Sequence, residues 1–109
     1  MSELAITFLC PLVLEEKLLD LLLMNADANV FTSTATAAHG MAHEELDQVE
    51  LVLGRARATS VQVIFAASEK DPQGAREKVN ELLANLRREF KGSGLRYWLT
   101  PILESGEII

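Results

Sequence analysis

A chain of 109 residues, 49% hydrophobic and 24% charged, is sized for one domain spanning 1–109 and is too apolar for intrinsic disorder. Its formal net charge of −6 argues against a nucleic-acid backbone and an anionic membrane surface as partners, because both recruit basic fields. The single cysteine, Cys10, excludes an intrachain disulfide and suits a reducing cytoplasm.

The first apolar stretch, "LAITFLC" at 4–10, mixes β-branched and large apolar residues and stops at a proline, which predicts a buried strand. No basic run precedes it, and Pro11 with "EEK" interrupts it. It therefore reads as neither a secretion signal nor a membrane span, and no membrane insertion is expected. Pro11 suits the first turn of a helix, where its missing N–H costs nothing. Over 12–25 the apolar positions Leu14, Leu18, Leu21 and Leu22 share a helical face opposite Glu16, Lys17 and Asp20. Val13, Leu19 and Leu23 widen that stripe, either as extra core contact or as a subunit contact.

"VFTSTAT" at 30–36 has strand propensity without a helical period, and "ATSVQVIFAA" at 58–67 alternates around Val61, Val63 and Phe65. Asp71 and Pro72 form a cap and first-turn pair for a second helix. Its apolar positions are Ala75, Val79, Leu82, Leu83, Leu86 and Phe90, and "KGSG" ends it. "LRYWLTPI" at 95–102 is the last strand, stopped by Pro101. The order βαββαβ with right-handed crossovers predicts an α+β, ferredoxin-like domain: a four-stranded antiparallel sheet with two helices on one face. The strands carry apolar residues on both faces, so the open face calls for a cover, which oligomerisation can supply.

Between the second and third strands runs a connection of about twenty residues, 37–57, far longer than an ordinary hairpin loop. "EELDQVELVLG" within it reads either as a short helix or as an extension of the third strand. The same connection holds His39, Met41 and His43, whose imidazole and thioether donors suit copper, while imidazole with the carboxylates behind suits zinc or nickel. Ordering such a loop costs about 1–2 kcal/mol per residue, so a single copy is a weak chelator. Two solvated histidines are the plain alternative. Arg55 and Arg57 can clamp an anion or serve as strand-edge charges. Lys91, Gly92 and Gly94 are explained without a ligand by helix-end chemistry. Cys10, ending a strand, reads as a small core residue before it reads as a soft ligand.

The element order, the long connection, and "GSGLRYWLTPI" running to Thr100-Pro101 resemble the PII signalling superfamily. More narrowly, "CP…LEEKLLDLLL", "FTS", "HG", "QV…GR" and "LRYWLTPILESG" are similar to an uncharacterised PII-like family, of the kind encoded beside heavy-metal efflux systems. The resemblance implies a cytoplasmic homotrimer that works by binding, with mobile loops around clefts between subunits and a membrane transporter as a partner. It matches Lys91, Gly92, Gly94 and Arg96 to the phosphate-facing turn of the nucleotide-binding relatives. Thr32 and Ser33 match the second-strand end that faces the cleft, and Gly40 matches a loop-base glycine. Leu95 stands where those relatives carry a phosphate-binding lysine, and "ESGEII" lacks their basic pair; both departures weigh against ATP. Apart from a ligand-responsive regulator, the sequence admits a metal buffer without a signalling partner and a small cleft enzyme. No nucleophile motif, P-loop or dinucleotide fingerprint supports the last.

Overall fold

The computed structural model describes residues 3–25, 30–40, 55–66 and 74–109. Four strands are seen: β1 (Leu4–Pro11), β2 (Phe31–Ala38), β3 (Ala56–Phe65) and β4 (Arg96–Pro101). A 3-10 turn (Leu12–Leu14) leads into α1 (Glu15–Met24), and α2 (Gly74–Glu89) joins the second pair of strands. The sheet order is β2-β3-β1-β4, antiparallel throughout. That is the predicted ferredoxin-like βαββαβ arrangement.

Antiparallel partners share a face, and successive residues alternate between faces. Ile6, Phe8 and Cys10 pair with Val63, Val61 and Thr59. This row meets Leu18 and Leu22 of α1 and Val79, Leu82, Leu83 and Leu86 of α2 in one continuous core. Both helices therefore cover the same face. The helical spacing read from the sequence is the cause: the α2 positions named as apolar, Phe90 included, are all buried. Pro11 differs from expectation. It closes β1 and precedes the 3-10 turn with ψ 141°, an extended value, and α1 proper starts only at Glu15.

Besides the strand pairing and the shared core, side chains of α1 make three contacts that join the two halves. Thr59 Oγ1 donates to Glu15 Oε2 at 2.6 Å, tying β3 to the start of α1. The Lys17 ammonium donates to the Glu89 carbonyl at 2.9 Å, so α1 supplies a cation to the C-terminus of α2. The same Nζ lies 4.8 Å from the centre of the Phe90 ring.

The open face differs from the helix-covered one. It presents Thr7, Leu9, Thr32, Thr34, Thr36, Ser60 and Gln62, with Trp98 half exposed beside Thr7. Ala38, Ala56 and Ala58 form a small buried cluster there, packed by Leu9. By register the same face also carries Ile64, Arg96 and Thr100, so hydroxyl-bearing residues share it with apolar ones, Leu9, Ile64 and Trp98 among them. Val13 in the 3-10 turn and Leu23 on α1 are largely exposed, while Leu19 packs on the core; of the widened stripe, Leu19 alone is core contact within one chain.

Candidate functional site

The site begins with how α2 ends. Phe90 N–H donates to the Leu86 carbonyl at 2.8 Å and Ser93 N–H to the Phe90 carbonyl at 3.0 Å, continuing the helical bonding beyond Glu89. Gly92 (φ 73°) and Gly94 (φ 85°) then reverse the chain in the left-handed region that side chains rarely adopt. Space is not the constraint: a Cβ at Gly92 would meet nothing within 4 Å, and one at Gly94 would touch only Pro11 at 3.9 Å. Leu95 N–H donates to Ser93 Oγ at 3.3 Å, and β4 starts at the next residue.

Between this turn, α2 and β4 lies an open groove of about 420 Å³. Phe8, Leu83, Leu86, Phe90 and Leu95 give it an apolar lining, while Arg87, Lys91 and Tyr97 supply its polar side chains. Tyr97 is the register partner of Phe8, which places it on the helix-covered face at the sheet edge. Arg87 donates to its hydroxyl at 3.1 Å, holding guanidinium and phenol together at the mouth. Sequence reasoning missed Arg87 and Tyr97 as site residues. Arg87 lies four positions before Lys91, the helical spacing that stacks two side chains on one face, and that was the available signal.

The residues expected to bind ligand fall into separate groups. Lys91 and Gly92 line the groove. Gly94 supports the turn, and Arg96, the partner of Leu9, is on the other face of β4. Thr32 and Ser33 occupy the first half of β2 rather than its end, and both are exposed. Gly40 (φ 80°) follows β2 and Arg55 precedes β3; both are exposed. Since β2 and β4 are opposite edges, with β3 and β1 between them, the two groups stand about 14 Å apart at ordinary strand spacing. One subunit does not bring them onto one small ligand.

The family model described as "Protein of unknown function (DUF3240)" matches residues 1–109. The chain belongs to this family. A DUF3240 family protein from Shewanella baltica has a similar solved structure, with TM-score 0.73 and 15% identity, covering 100% of this chain and 99% of that one. A candidate PII-like signaling protein from Thermus thermophilus is similar at TM-score 0.56 and 15% identity, covering 92% of this chain and 89% of that one. No curated protein matches. At these identities the solved structures establish a shared PII-like fold.

For this DUF3240 member the metal expectation is split by what the structure describes. His39 is exposed just beyond β2; Met41 and His43 lie outside the described residues, as do Asp71, Pro72 and most of the long connection. Among the described residues no group of three His, Cys, Asp or Glu side chains is arranged to hold a metal. Cys10 is fully buried in the core. Desolvation, helped by the nearby Glu15 charge, pushes its thiol from an ordinary 9.0 up to about 11. It stays protonated at neutral pH, its Sγ–H directed at the Pro11 carbonyl at 3.4 Å, which suits a core residue and not a thiolate ligand. Among the described residues no helix is long and apolar enough to cross a membrane.

Proposed function

We propose that this protein is a PII-like regulator, non-catalytic, that binds a small ligand at the turn after α2 and transmits occupancy through the 37–57 connection to a partner protein. The observation that carries the reading is the groove itself: Lys91 and Gly92 of the glycine turn border a cavity in which Arg87 and Tyr97 are already joined. The PII-like fold of the Thermus thermophilus neighbour supports it. Homotrimeric assembly belongs to the proposal, because the ligand residues divide between the β2 and β4 edges, and abutting edges from two copies would complete one site. A transporter as partner, of the metal-efflux kind, and a cytoplasmic setting follow from the resemblance alone. His39, with Met41 and His43, is the proposed transition-metal contact.

Native mass spectrometry of protein purified without added ligand should show a trimer and any retained metal or nucleotide. A monomer at micromolar concentration would end the shared-site reading. Ligand should alter hydrogen exchange or proteolysis over 37–57, and unchanged exchange with every ligand that binds the groove would refute the regulatory role. Copper, zinc or nickel titrations should weaken at least tenfold in the His39→Ala/His43→Ala variant; wild-type affinity there would remove the metal contact.

A further inference from the structure

The groove between α2 and β4 has a composition that narrows its ligand. Phe8 and Phe90 are buried, Leu83, Leu86 and Leu95 extend the same apolar wall, and the polar side chains are confined to Arg87, Lys91 and Tyr97. A nucleotide is poorly served by this set. Its polyphosphate would place three or four negative charges on two cations, and Tyr97 alone would be left to hydrogen-bond a base edge. Arg96, the further cation expected here, is turned to the opposite face of the sheet. A molecule with one compact anion and an apolar body meets every part of the groove. Arg87 offers a planar fork already oriented by Tyr97, and Lys91 has no hydrogen bond or ion pair with any described residue. The volume, about 420 Å³, falls within the range of small-molecule sites.

We infer that this groove binds an apolar-bodied carboxylic acid, its carboxylate on Arg87 and Lys91 and its body against Phe8, Leu86, Phe90 and Leu95. The inference deepens the regulatory reading by naming the ligand class of the same site, and rests on it only for the consequence of binding. An acid of this kind would cover apolar surface that water now wets, while leaving its charge at the rim.

The test is an amide NMR titration of the full chain with octanoate, 1-octanol, inorganic phosphate and ATP. Octanoate should shift the amides of Lys91, Gly92, Leu95 and Tyr97, and bind at least tenfold more tightly than 1-octanol or phosphate. The Arg87→Ala/Lys91→Ala variant, altered only at exposed positions and therefore expected to keep the wild-type spectrum, should lose at least tenfold in octanoate affinity while retaining its 1-octanol affinity. Equal binding of octanoate and 1-octanol, or wild-type octanoate affinity in the variant, overturns the inference. So does binding of ATP at these amides without octanoate, an outcome that leaves the regulatory reading standing. Octanoate binding with no change in exchange over 37–57 has the opposite meaning: the ligand class holds and the regulatory reading falls.

Discussion

At the β4 edge the sheet is backed by a helix end, closed by a two-glycine turn and joined to α1 through Lys17. At the β2 edge Thr32 through Thr36 stand exposed on both faces, Phe31 packs against the helix-covered core, and Ala38 joins the small alanine cluster on the open face. Both edge strands are largely exposed, five of six residues in β4 and five of eight in β2, so the two edges differ in what stands beside them and not in exposure. The helices' apolar stripes meet β1 and β3, and reach the edge strands at Phe31 of β2 and Leu99 of β4. The difference suggests a division of labour. A preformed ligand groove belongs where packing fixes side-chain positions, and a row of unpaired backbone groups belongs where another chain can meet it.

The largest test of this contrast is Phe8→Ala. Phe8 is fully buried beneath the groove and pairs with both Val61 and Tyr97. Its removal should cost about 3–5 kcal/mol, measured by denaturant unfolding. Thr34→Ala, on the β2 edge, should stay within about 0.5 kcal/mol. Equal losses at the two positions would mean that the edges are not differently built.

Next is Thr59→Val. The threonine is buried and its hydroxyl donates to the Glu15 carboxylate. Losing a hydrogen bond to a charged acceptor should cost about 1.5–3 kcal/mol. A cost under about 0.5 kcal/mol would show that solvent replaces the donor and that β3 is not pinned to α1 there.

How much of this was legible in the sequence depended on period. Val79, Leu82, Leu83 and Leu86 announce α2 because a helix repeats every three to four residues, and Val61, Val63 and Phe65 announce β3 because a strand repeats every two. The site was less legible, since binding residues obey no period. Lys91 and Gly92 could be named from the turn, but that Arg96 lies on the face away from the groove follows from the parity of β4, set by Tyr97 packing over Phe8, a tertiary fact. Arg87 looked like any exposed helix charge until Tyr97 came to lie 3.1 Å from it. Val13 and Leu23 show the converse: a stripe readable as apolar, whose exposure only packing could decide.

Cys10 gives a pH-dependent test within the well-packed half. Its pKa is raised from 9.0 to about 11, so between those values the unfolded chain loses the thiol proton while the folded chain keeps it. Fewer protons bound to the unfolded state means that stability falls as pH rises through that window. Below pH 9 both states carry the proton and the group adds no pH dependence. The advantage of wild type over Cys10→Ala, measured by unfolding at each pH, should therefore be level up to about pH 9 and shrink towards pH 11. A constant difference would mean the thiol ionises as readily in the folded chain.

A smaller effect than at Thr59 is expected at Lys17. Its ammonium serves the Glu89 carbonyl and approaches the Phe90 ring from an exposed position. Lys17→Met keeps an unbranched side chain and removes the charge, which should cost about 0.3–1 kcal/mol, the scale of a cation at a helix C-terminus. Salt separates this from lost packing. A charge effect shrinks at high ionic strength, so in 1 M salt the two proteins should unfold at nearly the same denaturant concentration. If the gap persists there, Lys17 acts through its methylenes, and the link from α1 to the groove-bearing end of α2 is one of contact and not of charge.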